Sequence, residues 1–211
     1  LAEHAHAILL TGGSAFGLDA AAGVMQYLED RKIGFDVQVT KVPIVCGAAL
    51  FDLMIGDHAL RPNKEMGYKA CLDAENNQPG QGNVGAGAGA TVGKLLGMDR
   101  AMKGGIGIHA IGVGELQIGA IVAVNCLGDV VHAETNQPLA GLLGKDKTGI
   151  IGTEEQMIKS WKDKKNLFST NTTIGAIITN GSFTKAEATK LAAMAQNGFA
   201  RSIRPVHTMY D

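Results

Sequence analysis

Ser169-Thr170-Asn171-Thr172-Thr173-Ile174-Gly175-Ala176-Ile177-Ile178-Thr179-Asn180 runs from small polar residues straight into an apolar, β-branched segment. The segment from Thr173 onward has the composition of a buried strand. Asn171-Thr172 stands at its mouth. A peptide bond before a hydroxyl residue at such a place is where a chain can cut itself. The hydroxyl attacks the preceding carbonyl, and the resulting ester is hydrolysed. Thr172 would then carry a hydroxyl nucleophile and a free amine together. A terminal amine has a reference pKa of about 7.7–8.0, so it can act as base for its own hydroxyl near neutral pH. The competing reading is an Asn-Thr-Thr turn ahead of an ordinary core strand, and composition alone favours it.

The rest of the chain sets the frame for that choice. Its 211 residues suit one large domain or two small ones. With 45% hydrophobic and 18% charged residues it reads as an ordinary soluble globular chain. A net charge of -1 argues against a nucleic-acid partner, and 5% aromatic residues argue against a base-stacking platform. Cys46, Cys71 and Cys126 lie far apart and form no CxxC pair. That pattern fits neither a disulfide framework nor a zinc site, and it points to a reducing, cytoplasmic setting. The longest apolar stretch, Ile118 to Val124, is far too short for a membrane span. The chain opens at Leu1 and stops at Asp211, and is read as a fragment trimmed at both ends. Its 29 glycines are interleaved with Ala, Val and Ile, as in tight helix-on-sheet packing.

Local patterns predict strands and helices in alternation. Ala7 to Leu10 reads as a buried strand, and Ser14 as the cap of a helix reaching about Asp30. Leu18, Ala21, Met25 and Leu28 would form its inner face and Gly34 its stop. A strand with a turn near Gly47 is expected within Val42 to Leu53, then a short helix entered through Lys64. Gly85 to Gly97 reads as a closely packed helix entry. Gly105 to Val113 and Gln117 to Asn125 read as adjacent strands, with a third through Val131 and Ala133. Thr135 to Thr148 reads as an exposed loop, and Thr153 to Lys165 as a helix. Thr184-Lys185-Ala186-Glu187 is a capping box before an apolar face of Ala188, Leu191, Ala192 and Ala195, with Gly198 as the end. The class is mixed α/β or layered α+β.

Three familiar motifs fail on named residues. Gly85-Ala86-Gly87-Ala88-Gly89-Ala90 lacks the preceding strand and distant acid of a dinucleotide loop. Gly93-Lys94 has Ala88 where a P-loop needs its first glycine, and Leu95 where it needs Ser or Thr. Gly13-Ser14 has Phe16 where a nucleophile elbow needs its second glycine. Among six histidines only His4-x-His6 has chelate spacing. No metal or cofactor is expected.

Several segments in order carry a resemblance. They are Leu10-Thr11-Gly12-Gly13-Ser14-Ala15-Phe16-Gly17-Leu18-Asp19-Ala20-Ala21, then Val42-Pro43-Ile44-Val45 leading to Phe51-Asp52-Leu53. Gly82-Asn83-Val84-Gly85-Ala86-Gly87, ending in Gly93-Lys94, follows. Asn171-Thr172-Thr173-Ile174-Gly175 and Arg204-Pro205-Val206-His207-Thr208-Met209-Tyr210-Asp211 complete the set. Together they span almost the whole chain. In them the sequence resembles the P1 peptidase family, the group of aminopeptidase/D-amidase, β-peptidyl aminopeptidase and nylon-oligomer hydrolase enzymes.

The resemblance implies a four-layer αββα sandwich that cleaves itself before Ser or Thr and then hydrolyses small peptides or amides. It implies a cut between Asn171 and Thr172, with residues 1–171 as the α-subunit part and 172–211 as the start of a β-subunit, together one domain. Thr172 becomes the nucleophile, with Thr173 as competitor. Lys94 matches a lysine beside the nucleophile, which would favour the neutral amine. Asn125 matches an asparagine that helps bind the oxyanion; losing such a donor typically costs about 10²–10³ in rate. Asp211 matches the first acid of a terminal Asp-Gly-Asp that orients the lysine or the amine. Phe51 stands where the nylon-hydrolase branch has a tyrosine, so a substrate-facing ring is kept and its hydroxyl lost. The second acid is absent, as are the opening strands expected before Leu1. A homo-oligomer, a tetramer by resemblance, is implied. Two alternatives stay open: acyl transfer of the ornithine acetyltransferase type, and an uncleaved, non-catalytic homologue.

Overall fold

The computed structural model describes residues 3–161 and 171–210. In chain order it contains β1 (Ala7–Thr11), α1 (Ala20–Asp30), β2 (Phe35–Asp36), β3 (Lys41–Val42), β4 (Val45–Ala49) and α2 (Lys64–Ala74). β5 (Thr91–Val92), β6 (Met102–Lys103), β7 (Gly105–Val113), β8 (Leu116–Asn125), β9 (Asp129–Val131) and β10 (Pro138–Ala140) follow. The described chain closes with α3 (Thr153–Lys159), β11 (Thr172–Thr179), α4 (Lys185–Ser202) and β12 (Ile203–Arg204). The architecture is mixed α/β.

The central sheet has the order β11-β8-β7, all antiparallel. β7 and β8 are the adjacent strands predicted, joined by the short turn at Gly114-Glu115. β1 pairs in parallel with β4, which places Leu9 opposite Gly47. β10-β9-β12 form a separate small sheet, and β5 pairs with β6. Side chains alternate between faces along a strand. Ala123 and Ile174, opposed in β8 and β11, therefore share one face, which meets Leu50, Ala86, Ala90, Leu10 and Ile106 in a core of mostly small residues. On the other face Val124 packs with Phe199 of α4 in a second cluster around Val92, Cys126 and Ile203.

α1 and α2 lie against each other because glycines let their backbones approach. A Cβ on Gly23 would collide with the Lys64 carbonyl, and one on Gly67 with the Ala20 carbonyl. Tyr27 and Tyr68 meet edge to face with centroids 5.8 Å apart. The Asn63 side chain caps α2 by accepting from Met66 N–H at 3.0 Å. The predicted capping box of α4 is present, with Glu187 reaching back to Thr184 N–H at 2.8 Å.

Several local expectations are corrected. Ser14 caps no helix: it sits at φ 55 after Gly13 at φ 80, and its N–H donates to Leu50 O at 2.9 Å. A 3-10 turn, Ser14–Asp19, then leads into α1, whose buried residues are Ala20, Gly23, Val24 and Leu28. Leu18 and Met25 are exposed, because the inner face is turned to present Gly23 to α2. α1 ends at Asp30, and the chain turns away at Lys32 rather than at Gly34. Lys32 has φ 56, and Lys32 N–H and Ile33 N–H close onto the carbonyls of Glu29 and Leu28. Gly47 is inside β4 rather than at a turn.

Gly85 to Gly97 forms only a 3-10 turn, Gly85–Gly87, and the short strand β5. Gly93 at φ 69 and Gly97 at φ 106 break helical geometry. The strand expected through Ala133 stops at Val131 and joins β10 and β12 instead of the hairpin. Thr135 to Thr148 is not all exposed, since it contains β10 and the fully buried Leu142. The buried Asp129 carboxylate draws that segment inward, accepting Leu142 N–H at 2.7 Å and Thr153 Oγ1–H at 2.7 Å. α3 ends at Lys159, and residues 162–165 of its expected course lie outside the described residues. α4 runs through Gly198 to Ser202. Leu191, Ala195 and Phe199 are its half-buried stripe, while Ala188 and Ala192 are exposed.

Candidate active site

β11 begins at Thr172, and in register that residue stands directly opposite Asn125, the last residue of β8. Both lie on the face of the sheet that carries Ala123 and Ile174. Thr173 opposes Val124, so it lies on the other face, toward α4. The Thr172 Oγ1–H donates to the Asn171 carbonyl oxygen at 2.6 Å. The hydroxyl is therefore held against the peptide group that precedes it.

Asn125 is fully buried and its side-chain amide is fixed at both ends. Oδ1 accepts from Thr91 N–H at 2.9 Å and from the Lys94 ammonium at 3.0 Å. Thr91 Oγ1 lies 3.4 Å from the same oxygen. Nδ2 donates to the Phe51 carbonyl at 2.9 Å. Donors surround one end and an acceptor meets the other, so the amide has a single sensible orientation. Lys94 Nζ also donates to the Asn125 backbone carbonyl at 2.8 Å.

Lys94 is only 7% exposed. Its position is set by Gly93, whose φ of 69 suits a residue without a side chain. A Cβ there would also strike Gly141 and Leu142. Gly93 N–H and Lys94 N–H are tied to the carbonyls of Gly128 and Leu127 at 3.1 and 3.2 Å. A buried ammonium needs several oxygen partners, and Asn125 supplies two of them.

Asn171 is buried, and its Nδ2 donates to the Tyr210 carbonyl at 2.9 Å. Among the described residues its buried Oδ1 has no hydrogen-bond partner. The Nδ2 bond ties Tyr210 to the junction. Asp211, the acid expected there, lies outside the described residues. Phe51 contributes its backbone carbonyl, and this half-buried residue lines a narrow cleft with Asp52, Met54, Ile55, Thr91, Lys94 and Met98. The geometry thus brings Lys94, Asn125, Phe51, Asn171 and Thr172 into one connected region.

Sequence reasoning missed three contributors: Thr91, Asp52 in its structural role, and Lys103. The Asp52 carboxylate accepts Gly13 N–H at 2.7 Å and fits between Gly12 and Gly89, where a Cβ on either would collide with it. Lys103 donates to three carbonyls, those of Gly87 at 3.3 Å, Ala88 at 2.7 Å and Ala90 at 2.9 Å. Burial pushes its pKa below the ordinary lysine value, and Asp52 pulls the other way. The available signal was a lone lysine beside a run of glycines.

The histidine pair has a structural use at one member: His6 Nδ1 accepts Ile44 N–H at 3.0 Å. Among the described residues no helix is long and apolar enough to cross a membrane.

Comparison with known proteins completes the picture. The chain is 40% identical to an uncharacterised aminopeptidase of Mycobacterium leprae, over 97% of this chain and 57% of that protein. It is 28% identical to a 6-aminohexanoate-oligomer endohydrolase of a Kocuria species, over 98% of this chain and 58% of the relative. It thus spans somewhat more than half the length of these relatives. The crystal structure of the PH0078 protein from Pyrococcus horikoshii OT3 has a similar fold, with a TM-score of 0.57 at 20% identity over 92% of this chain and 48% of that one. The model of peptidase family S58 matches residues 1–211. With that match over its whole length, and the ordered P1-type segments, the chain belongs to peptidase family S58.

Proposed function

We propose that this chain is part of a self-processing amide hydrolase that cuts itself between Asn171 and Thr172 and then uses Thr172 as an N-terminal nucleophile. The observation that carries the reading is the 2.6 Å hydrogen bond from Thr172 Oγ1 to the Asn171 carbonyl, at a strand mouth opposite Asn125. In the cut, Thr172 Oγ attacks the Asn171 carbonyl carbon. The C–N bond breaks as the C–O bond forms, and the hydroxyl proton ends on the Thr172 nitrogen. Water then hydrolyses the ester, leaving an Asn171 carboxylate and a free Thr172 hydroxyl and amine.

In turnover the Thr172 amine takes the proton of its own hydroxyl as Oγ attacks a substrate amide. The tetrahedral oxyanion is stabilised by donors in the region of Asn125. The departing amine takes the proton, and water releases the acyl group. Lys94, buried on Asn125, supplies positive charge that favours the neutral Thr172 amine. Asp211 is assigned to orienting that lysine or amine. The face assignment favours Thr172 over Thr173, since Thr173 lies opposite Val124 and away from Asn125.

The names of the relatives, an aminopeptidase and an amide-oligomer hydrolase, support small peptides or amides as substrates. We assign residues 1–171 and 172–211 to the two pieces of one domain, within a four-layer αββα sandwich that assembles as a homo-oligomer in the cytoplasm. The test is a paired assay on the full-length protein: release of amine from a small peptide amide by wild type and by Thr172→Ala. Wild-type activity abolished in the variant is expected; equal activity in both rejects the role of Thr172.

A further inference from the structure

Lys103 stands directly opposite Thr91 in the β5–β6 pair. Its ammonium turns back onto the carbonyls of Gly87, Ala88 and Ala90, three groups of the loop that delivers Thr91. The Ala90 carbonyl also accepts Gly104 N–H at 2.8 Å, so the loop end is held by two donors from consecutive residues. The loop is also shaped by its own turn bonds, from Gly87 N–H to the Val84 carbonyl at 2.8 Å and from Ala88 N–H to the Gly85 carbonyl at 3.1 Å, and by the burial of Ala86 and Ala90 in the core. It is Gly-Ala-Gly-Ala-Gly-Ala, with no side chain able to make a hydrogen bond.

Thr91 is what the loop presents. Its N–H donates to Asn125 Oδ1, the oxygen that also receives Lys94. On the other side Gly89 leaves the space that the Asp52 carboxylate fills, and the neighbouring Phe51 carbonyl receives Asn125 Nδ2. Both ends of the Asn125 amide therefore depend on where this glycine loop lies. Among these ties, Lys103 alone joins three of the loop's carbonyls through one side chain, and misplacement of a catalytic group by about 1 Å can cost about 10²-fold in rate.

We propose that Lys103 is a positioning residue for the candidate site, fixing the Gly85–Ala90 loop so that Thr91 and Lys94 lock the Asn125 amide in its working orientation. The inference rests on the self-processing reading for its kinetic consequence, though its structural half stands on the contacts alone. Lys103 touches neither Thr172 nor a reacting atom in this account.

The test compares full-length wild type, Lys103→Met, Lys103→Arg and Thr172→Ala. Two readouts are used: the rate at which the chain is split before Thr172, and hydrogen exchange at Thr91 N–H. The expected result is splitting slowed by about 10²-fold in Lys103→Met, with faster Thr91 exchange while α1 and α2 stay protected. Lys103→Arg, which keeps a charged multiple donor, restores most of the rate. Folded Lys103→Met that splits at the wild-type rate overturns the proposal. So does unchanged Thr91 exchange. If Lys103→Met fails to fold, Lys103→Gln, which keeps an N–H₂ and loses the charge, replaces it under the same criteria. If wild type itself is not split before Thr172, the self-processing reading fails; Thr91 exchange then decides positioning by itself, faster exchange supporting it and unchanged exchange overturning it.

Discussion

Thr172 and Asn125 are directly opposed at the shared end of β11 and β8, and the Lys94 ammonium is bonded to both oxygens of Asn125. Opposed residues in an antiparallel pair have Cα atoms about 4.5–5.5 Å apart. A hydroxyl, a buried amide and a buried cation are therefore concentrated where one strand begins and its neighbour ends. The strand ladder sets the Thr172–Asn125 proximity, and the segment after β5 brings Lys94 to it.

Replacing Asn125 should damage both fold and chemistry. Asn125→Leu leaves Thr91 N–H and the Lys94 ammonium without a buried acceptor they now use. An unsatisfied buried donor costs about 1–3 kcal/mol, and more when charged. Chemical denaturation should show a loss of at least that size. Self-cleavage and amide turnover should each fall by about 10²–10³. Unchanged stability would contradict the contacts described.

The two threonines should separate cleanly. Thr173→Ala is expected to split and turn over within a few-fold of wild type, because Thr173 lies on the face toward α4. Thr172→Ala should do neither, with thermal stability close to wild type. Time courses on denaturing gels distinguish them; loss of splitting in Thr173→Ala alone would move the nucleophile by one residue.

Asn171 bears on how the bond breaks. An asparagine can in principle cut after itself by attack of its own side-chain nitrogen on its carbonyl, ending as a cyclic imide. Here Nδ2 is committed to the Tyr210 carbonyl at 2.9 Å, and the hydroxyl of Thr172 is the group against the junction. The larger fragment should therefore carry an ordinary Asn171 carboxylate. High-resolution mass measurement decides this, since the imide would be lighter by one water.

In the α1–α2 pair, pH should act through the contacts between the two helices. Glu75 accepts Tyr27 O–H at 2.6 Å and is paired with Arg31, and these bonds hold its pKa below the ordinary glutamate value. Asp30 is lowered in the same way by Gln26 and Tyr68. A carboxylate with a depressed folded pKa stabilises the fold above its unfolded pKa, about 4, and that contribution is lost as pH falls through the folded value. Tyr27, raised by Glu75, behaves oppositely: its contribution is present below its unfolded pKa and lost as pH rises through the folded one. Glu75→Gln should flatten both limbs of a thermal-stability profile. These groups are exposed, so the effect should be small and weaken with salt.

How far the sequence discloses this arrangement depends on the kind of signal. The hairpin of β7 and β8, the strand from Thr172 and the capping box at Thr184 were legible because each is a local pattern with a local cause. The order of segments around Lys94, Asn125 and Thr172 was legible through resemblance. Ser14 as a cap was misread because its backbone conformation is set by a long-range bond to Leu50. The inner face of α1 was misread because Gly23 earns burial by having no side chain, which a hydrophobic pattern cannot register. Lys103 escaped for a similar reason: its three acceptors are backbone carbonyls, and a carbonyl has no letter in the sequence.

The central claim is that the chain breaks before Thr172. Intact mass spectrometry of the purified full-length protein, with N-terminal sequencing of the smaller piece, tests it directly. The predicted result is two pieces that remain associated, one ending at Asn171 and the other beginning Thr172-Thr173-Ile174-Gly175, with only intact chain for Thr172→Ala. A single unbroken chain in the wild type, indistinguishable from the variant, would contradict it.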